Sequence, residues 1–511
     1  MRIFEVILIA VNFLALFLSF KKQSKTVWLG VATASLAVLL LGGILDGVRY
    51  QMAFAYVFVI LLVVYALAKA SGRFSEVRIP KALKITAASV SFLLLSFTSF
   101  LAYAIPVFKL PKLTGSYAVG IKYFDLVDES RTDPFLDKST RKRELMIKVY
   151  YPAKEDDSKP FSPYFHNSPQ LMRAWAAFYH LPGFMFNHLS LVKTHCKDDL
   201  GVSAARPSYP VVLFSHGAGT TMEIETSQSE DLASHGYVVV DIDHTYVSAA
   251  TVFPDRVVMA QEATTNFDTP EPAAPITQIM ADDDRFVIEK LDELNEGTLN
   301  PGFRGKLDLD ELGVIGHSVG GAVAYNMAIN DSRVKAAINL DGAVYVTPKD
   351  SNAIAPFLML ANDKYHVQVI EKRECLMEKF DATPKRQQEL RDMFGSKEAY
   401  DKAYRTAQQN IIGLADVLKL SGNLYTIKGS DHMKFTDIGL FIGSQWLREL
   451  LQIGGKTDPA RCLEITQALT VAFFDQHLKG QTAGPLQSLV KAYPELEHAS
   501  AAPSAGAQTK L

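Results

Sequence analysis

The chain has few cysteines, little net charge and no internal repeat. Its three cysteines, Cys196, Cys375 and Cys462, are too few for a disulfide framework and stand in no pattern typical of a nucleophile or a metal site. The formal net charge of −3 offers no basic surface of the kind that nucleic-acid-binding proteins carry. These shortages argue against a disulfide-stabilised scaffold and a nucleic-acid partner, and we expect neither a metal nor another cofactor.

Long apolar runs are confined to the first 108 residues, where there are four: Ile3–Phe20, Val27–Ile44, Met52–Ala68 and Ile85–Phe108. Each approaches the ~20 residues that a helix needs to cross a bilayer. The first run is not typical of a signal peptide, because it is long, lysines follow it and three more runs succeed it. Four such runs in a row also argue against buried core helices. We therefore predict four transmembrane helices.

Basic residues between the runs predict how the chain is oriented in the membrane. The loops after the first and third runs are the richest in them, with Lys21, Lys22 and Lys25 in one and Lys69, Arg73, Arg78, Lys81 and Lys84 in the other. The positive-inside rule places both loops in the cytoplasm. The rest of the chain would then face the periplasm or the cell exterior, although Lys109 and Lys112 favour the opposite orientation.

Beyond the apolar runs, strand-like and helix-like segments alternate, which is typical of an α/β fold whose mostly parallel sheet is covered by helices. The predicted strands are Leu145–Tyr151, Val211–Ser215, Tyr237–Ile242, Leu312–Ile315, Ala336–Leu340, Phe357–Leu360 and Leu424–Lys428. The predicted helices include Thr226–His235, Thr277–Leu294, Gly320–Ala328 and Ala460–His477.

These patterns divide the chain into a membrane region, 1–108, and an α/β domain, 109–497. The domain begins with a polar, loop-like segment, Leu110–Thr140. It also contains a charged insertion, 364–417, whose periodicity predicts helices. The Ala/Ser/Pro-rich tail, 498–511, is predicted to be disordered.

Ser318 lies at the centre of Gly316-His317-Ser318-Val319-Gly320, the strongest chemical signal in the chain. An apolar run precedes this motif and a helix-forming stretch follows it. That context is typical of a nucleophile elbow, a strand-to-helix turn so tight that glycine is favoured two residues on either side of the serine. The turn exposes the hydroxyl at a helix N-terminus, where free N–H groups stabilise a developing negative charge.

A serine hydroxyl needs a base and an orienting acid, which in α/β-hydrolases follow the serine in the order acid, then histidine. Four histidines follow Ser318 in the sequence: His366, His432, His477 and His498. His366 opens the charged insertion, His477 lies in a helical pattern and His498 lies in the tail. His432 follows the last predicted strand, where a loop can carry the imidazole over the elbow. We predict that His432 is the base.

Two aspartates are candidates for the acid. Asp341 ends the strand directly after the elbow helix, whereas Asp363 lies three residues past the end of the next strand, the usual acid position in this fold. The strand pattern alone does not separate them.

The oxyanion of an acyl-transfer intermediate needs two preorganised backbone N–H donors. The Val319 amide, directly after the serine, is the first predicted donor. The second is the Ala218 amide, in the turn Ser215-His216-Gly217-Ala218-Gly219 after an early strand, whose glycines let the backbone approach a substrate. His216 in that turn is interpreted as a structural hydrogen-bonding residue.

Taken together, these residues resemble the platelet-activating factor acetylhydrolases, serine esterases that remove short or oxidised acyl chains from phospholipids. The resemblance extends from about Gly115 to His477 and rests on Tyr209–Gly219, Asp231–Tyr237, Asp243-His244, Gly316–Gly321, Leu340-Asp341 and Gly429–His432 with Phe435. As an ordered set the matches are fairly specific, although several are shared across α/β-hydrolases.

The resemblance implies the roles of the site residues. It selects Asp341 over Asp363, because the family places its acid on the strand after the elbow helix, and it is consistent with Ser318 and His432. One departure is Ala343, since an aromatic residue commonly stands two positions after the acid. The membrane helices and the 364–417 insertion are also absent from the familiar soluble members.

The resemblance also gives meaning to an aromatic segment, 161–192, because the corresponding family region carries a helix that docks on lipid surfaces. The residues expected to do so are Phe178, Leu181, Met185, Phe186, Leu189 and Leu191. The alternative is that they cap the core. The insertion is likewise interpreted as a cap over the active site or as a solvated excursion.

The sequence thus predicts a membrane-embedded serine hydrolase that acts on carboxylic esters, with short-acyl or oxidised phospholipids as the leading substrate class. One alternative is a general carboxylesterase for non-lipid or polymeric esters. Another is a non-catalytic membrane receptor or accessory protein. The presence of serine, base, acid and oxyanion turn in the right order argues against that last alternative.

Overall fold

The computed structural model describes residues 1–72, 80–166, 168–265, 267, 273–362, 366–380, 383–451, 453, 455–482 and 486–499. Its N-terminal region consists of α1 (Ile3–Leu18), α2 (Lys25–Leu45), α3 (Ala53–Ala70) and α4 (Lys81–Ala104). Three stretches are long and apolar enough to cross a membrane: Lys25–Leu45, Tyr50–Ala70 and Lys81–Ala104.

The first predicted span differs from the other three. Helix α1 is apolar but has only 16 residues, about 24 Å of helix at 1.5 Å per residue. That length is below the ~30 Å hydrocarbon core of a bilayer, and the helix ends before Ser19 and the lysines at 21 and 22. The structure therefore supports three of the four predicted spans.

A buried ion pair joins the ends of the N-terminal helices. The Arg49 guanidinium lies 2.6 and 2.7 Å from the two carboxylate oxygens of Glu5. It also donates to the carbonyls of Ala102 and Ile105, at the end of α4. The start of α1, the turn before α3 and the end of α4 are thus fixed at one level, where the α/β domain begins.

The remaining helices are α5 (Ser168–Phe178), α6 (Thr226–Ser234), α7 (Ala273–Glu296), α8 (Val319–Asn330), α9 (His366–Lys372), α10 (Pro384–Phe394), α11 (Lys397–Ser421), α12 (Gln445–Leu450), α13 (Pro459–Leu478) and α14 (Leu486–Ala492). The strands are β1 (Ala118–Thr132), β2 (Lys142–Ala153), β3 (Cys196–Asp198), β4 (Tyr209–Ser215), β5 (Val238–Asp243), β6 (Ala250–Val252), β7 (Val257–Met259), β8 (Leu307–His317), β9 (Val334–Leu340), β10 (Phe357–Leu360), β11 (Leu424–Ile427) and β12 (Leu496–His498).

Ten strands form one sheet in the order β12-β11-β10-β9-β8-β4-β5-β2-β1-β3, and β6 and β7 form a separate pair. The neighbours from β11 to β5 are parallel, and β2 pairs antiparallel with β5. Each predicted strand is present. The predicted fold class, a mostly parallel sheet covered by helices, is confirmed.

The alternation of side chains along the central strands explains why helices cover both faces of the sheet. Val211 and Leu213 of β4 pack in one core with Val287 of α7. Val212 and Phe214 point to the other core, which α6 and α13 cover.

Three sequence predictions need correction or limits. The segment Leu110–Thr140, predicted as a loop, contains the 15-residue strand β1, which pairs antiparallel with β2. Because buried and exposed residues alternate along β1, its composition resembles that of a polar loop. His498, predicted to open the disordered tail, pairs with Tyr425 at the edge of the sheet. The rest of the tail, from residue 500, lies outside the described residues.

Candidate active site

Ser318 sits on a sharp turn between β8 and α8, with φ 58° and ψ −121°. Flanking glycines make this turn possible. A Cβ atom at Gly316 would lie 2.2 Å from the backbone of Gly320, and one at Gly320 would lie 1.9 Å from the Ser215 carbonyl oxygen. Any side chain at either position would therefore collide with rigid backbone, which is the physical reason for the G-x-S-x-G spacing.

The structure brings Ser318, His432 and Asp341 together from three distant stretches of chain. His432 Nε2 lies 3.0 Å from Ser318 Oγ, and His432 Nδ1 lies 2.7 Å from Asp341 Oδ2. His432 opens a single 3-10 turn just after β11. Ser318 and His432 are half-buried, whereas Asp341 is fully buried. The three side chains form a continuous line from a hydroxyl through an imidazole to a carboxylate.

Asp341 lies just past the end of β9 and accepts hydrogen bonds from more than one side. The Asn362 backbone N–H donates to it at 2.7 Å, and the Asn362 side-chain amide donates at 2.6 Å. Burial alone would raise the pKa of the Asp341 carboxyl, but hydrogen bonds from His366 and His432 hold that pKa well below its usual range. Asp341 is therefore ionised across the working pH range.

His366 is a site residue that the sequence reasoning did not select. It begins α9, and its Nδ1 lies 2.7 Å from Asp341 Oδ1, so each oxygen of the carboxylate contacts one imidazole. The sequence offered only one hint, the position of His366 in the segment after β10. The alternative acid, Asp363, lies outside the described residues.

The two predicted oxyanion donors belong to backbone segments next to the serine. The Val319 amide is the first of α8, and the turn containing Ala218 packs against the elbow, because a Cβ at Gly217 would lie 3.1 Å from Ser318 Cβ. Ala218 is exposed. Among the described residues, neither amide has a hydrogen-bond acceptor. Both N–H groups are thus available to a substrate atom beside Ser318.

Buried histidines surround this line of residues. His317 Nε2 donates to the His432 carbonyl oxygen at 2.8 Å, and burial lowers the pKa of His317 to about 3. His216 Nδ1 donates to the Gly217 carbonyl at 2.8 Å within its own turn, and His216 Nε2 accepts from the His244 amide, just after β5, at 3.1 Å. Burial lowers the pKa of His216 to about 3 as well. These neutral imidazoles brace the backbone of the site.

The aromatic segment contacts both the site and the N-terminal helical region. The Tyr179 hydroxyl donates to the Gly219 carbonyl at 2.9 Å, in the turn that holds Ala218. The Tyr50 hydroxyl, just before α3, donates to the Met185 carbonyl at 3.1 Å. Of the six residues expected at a lipid surface, Leu189 is buried, Leu181 is exposed, and Phe178, Met185, Phe186 and Leu191 are half-buried. Phe184 is also exposed.

No group of three or more metal-ligating side chains is found within the described part of the chain. What the site contains is chemistry for acyl transfer. It has a hydroxyl beside an imidazole, a carboxylate on the far side of that imidazole and two free amides beside the hydroxyl.

Comparisons with known proteins identify the family of this chain. A family model for platelet-activating factor acetylhydrolase, isoform II, matches residues 103–289 and 288–484. A platelet-activating factor acetylhydrolase from Cavia porcellus is 22% identical over 395 residues, 72% of this chain and 78% of that protein. A probable 1-alkyl-2-acetylglycerophosphocholine esterase from Arthroderma benhamiae is 25% identical over 247 residues, 47% of this chain and 60% of that protein.

Among solved structures, a ferulic acid esterase from Streptomyces cinnamoneus superimposes with a TM-score of 0.54 and 26% identity. The match covers 77% of this chain and 99% of the esterase. Together with the family match over most of the α/β domain, it identifies the chain as an ester hydrolase of the α/β-hydrolase superfamily and a member of the platelet-activating factor acetylhydrolase family.

Proposed function

We propose that this protein is a membrane-anchored serine esterase that hydrolyses short-acyl or oxidised phospholipids, with Ser318, His432 and Asp341 as its catalytic residues. The observation that carries the proposal is the convergence of these three side chains at 3.0 and 2.7 Å. The short-acyl part of this substrate class is supported by the names of the curated relatives, platelet-activating factor acetylhydrolases and a probable 1-alkyl-2-acetylglycerophosphocholine esterase.

The first half of the reaction uses all three side chains. His432 takes the Ser318 proton through Nε2 while Oγ attacks the acyl carbonyl carbon. Asp341 holds Nδ1–H of His432, which fixes the tautomer and stabilises the imidazolium that forms. The low pKa of Asp341 suits this role, because the carboxylate stays charged while the imidazole gains a proton.

The tetrahedral intermediate carries a negative oxygen, which accepts hydrogen bonds from the Ala218 and Val319 amides in this proposal. Its collapse passes a proton from His432 to the leaving alcohol and leaves an acyl group on Ser318. Water, activated by the same imidazole, then releases the acid. Each step uses this chain's own side chains and amides.

The proposal also assigns separate roles to two regions of the chain. Residues 1–108 anchor the protein and residues 109–497 form the hydrolase domain, with its catalytic face outside the cytoplasm. One contact and two exposed aromatic side chains support the close approach of the domain to the membrane. The Gly443 amide donates to the Ala104 carbonyl at 3.0 Å, at the end of α4. Trp446, three residues beyond, is exposed, as is Phe184 of the aromatic segment. A lipid substrate could therefore reach Ser318 from the bilayer surface.

Covalent labelling tests the nucleophile. A fluorophosphonate probe, which phosphonylates activated serines, is expected to label the full chain and to lose all labelling in Ser318→Ala. Ser158→Ala, at an exposed loop serine, is the matched control and is expected to label like the wild type. Undiminished labelling of Ser318→Ala would show that the nucleophile is misassigned.

A general carboxylesterase is the second candidate function, favoured by the structural match to a ferulic acid esterase. Rates on an acetyl phospholipid and on a feruloyl ester, measured side by side in nanodiscs, distinguish the two candidates. The phospholipid esterase requires a higher kcat/KM on the acetyl phospholipid. The opposite order would assign the site to soluble aromatic esters.

A further inference from the structure

A large cavity lies near the proposed catalytic residues, between the helical insertion and the chain that follows Asp341. Its volume is about 560 Å³, within the ~300–1,000 Å³ typical of small-molecule sites. The insertion contributes one wall, from α9 and α11. The segment after β9 contributes the other, from Gly342 to Tyr345.

The lining of this cavity is mainly hydrocarbon. Val369 and Ile370 of α9, Met377 of the following loop, and Ile411 and Leu414 of α11 provide aliphatic surface. Alanines on α11 leave the space open, because Ala403 and Ala407 offer only methyl groups. A cavity of this kind suits an apolar chain, since polar ligands need several convergent hydrogen-bonding groups.

The cavity approaches the catalytic residues at two points. Gly342 forms part of its wall, and a Cβ atom at that position would lie 2.2 Å from the Ser318 carbonyl oxygen. His366 forms another part and is bonded to Asp341 at 2.7 Å. The cavity is therefore separated from the Ser318 backbone by Gly342 and from the Asp341 carboxylate by His366.

The side on which the cavity lies indicates which part of an ester it would hold. The leaving alcohol must lie beside His432 to receive its proton, whereas the acyl group stays bonded to Ser318. Within the described residues, the cavity wall includes Gly342 behind the serine and does not include His432. That arrangement favours the acyl side.

We infer that this cavity binds the acyl chain of the ester, so that the insertion extends the substrate range from acetyl to medium-length acyl groups. The inference rests on the proposed function for the hydrolysis of the ester, whereas binding of an acyl chain in the cavity does not depend on that function. Each methylene group buried there raises the binding constant about fourfold. A chain of several carbons thus gains strongly from a cavity that an acetyl group leaves nearly empty.

The test compares p-nitrophenyl octanoate with p-nitrophenyl acetate on the full chain in nanodiscs. Two variants reduce the cavity, Ala403→Trp and Ala407→Phe, and Gln409→Trp is the matched control at an exposed position of the same helix. The ratio of kcat/KM for octanoate to that for acetate is expected to fall at least ~10-fold in both cavity variants, the loss of about two methylene contacts. The control is expected to keep the wild-type ratio.

A binding measurement separates this inference from the proposed function. Octanoate is expected to raise the unfolding temperature of Ser318→Ala and to leave that of Ser318→Ala/Ala407→Phe unchanged. An unaltered octanoate-to-acetate ratio in folded cavity variants, or equal stabilisation of both proteins, would overturn the acyl site. Failure of the wild type to hydrolyse acetate or to react with fluorophosphonate would overturn the proposed function instead, and octanoate stabilisation would then decide the cavity alone.

Discussion

Asp341 holds two imidazoles at once, and this sharing gives His366 a positioning role. Each histidine contacts a different carboxylate oxygen at 2.7 Å, so His366 and the two Asn362 donors together fix the rotation of the carboxylate that in turn orients His432. Burial of Asp341 removes water as a substitute donor. Without His366, Oδ1 loses one of its donors, and the carboxylate is held less firmly in the geometry that His432 needs.

Replacing His366 is therefore expected to slow the chemical step. His366→Leu should lower kcat on an acetyl ester by roughly 10-fold to 100-fold, because small misplacements of catalytic groups have large effects on rate. The KM should change little. His366→Gln keeps a donor and is expected to recover most of kcat, as steady-state kinetics would show. Equal losses in the two variants, or a loss confined to KM, would contradict a positioning role.

At the scale of secondary-structure elements, the β8–α8 junction depends on the absence of side chains at Gly316 and Gly320. The structure leaves no room for adjustment at Gly320, since an added Cβ would meet the Ser215 carbonyl at 1.9 Å. The strand β4 that carries Ser215 is central to the sheet and cannot move aside.

Gly320→Ala is expected to destabilise the hydrolase domain by more than ~3 kcal/mol, the upper end of overpacking effects, and to abolish fluorophosphonate labelling. Thermal unfolding and labelling of the same samples provide both measurements. Gly201→Ala is the control, because a Cβ there would meet nothing within 4 Å. Wild-type stability and labelling of Gly320→Ala would mean that the turn is looser than the structure describes.

Elements with a strong local pattern could be predicted from the sequence, and those fixed by distant partners could not. Strand β8 and the elbow were predictable because an apolar run and closely spaced glycines are local signals. Strand β1 was not, because alternating burial at the sheet edge gives it the composition of a polar loop. The hydrogen bond between His366 and Asp341 joins residues that are 25 positions apart and that only the tertiary fold brings together. No local sequence pattern predicts it.

At the scale of the whole molecule, the domain interior contains several buried carboxyl groups whose ionisation destabilises the folded state. Burial raises the pKa of Asp241 to about 8 and that of Asp437 to about 7, and it also raises the pKa of Glu225. The folded protein thus keeps protons on these groups that the unfolded chain releases near pH ~4. Their contribution to stability is complete below that pH and is lost as the pH rises towards 8.

The unfolding temperature of the hydrolase domain is therefore expected to fall as the pH rises from about 5 to about 8, the range in which the unfolded chain has lost these protons and the folded protein still holds them. Asp241→Asn, a neutral isostere, should flatten this decline, as differential scanning calorimetry in nanodiscs would show. Asp157→Asn, at an exposed side chain, is the control and should keep the wild-type slope. An unchanged slope in Asp241→Asn would mean that water or another group already compensates its charge.

The hydrolase domain lies at one end of the N-terminal helices, so the proposed orientation of these helices decides which side of the membrane the domain faces. The turn before α3 and the end of α4 both contact this domain, through Tyr50 and Ala104, whereas the loop after α1 lies at the opposite end of that helix from the Arg2–Glu5 pair. If the lysine-rich loops are cytoplasmic, a membrane-impermeant maleimide should label Glu155→Cys in intact cells. It should label Lys22→Cys only after permeabilisation. Both changes are made with the three native cysteines replaced by serine, and that background alone is the control. The reverse labelling pattern would place the proposed catalytic residues in the cytoplasm.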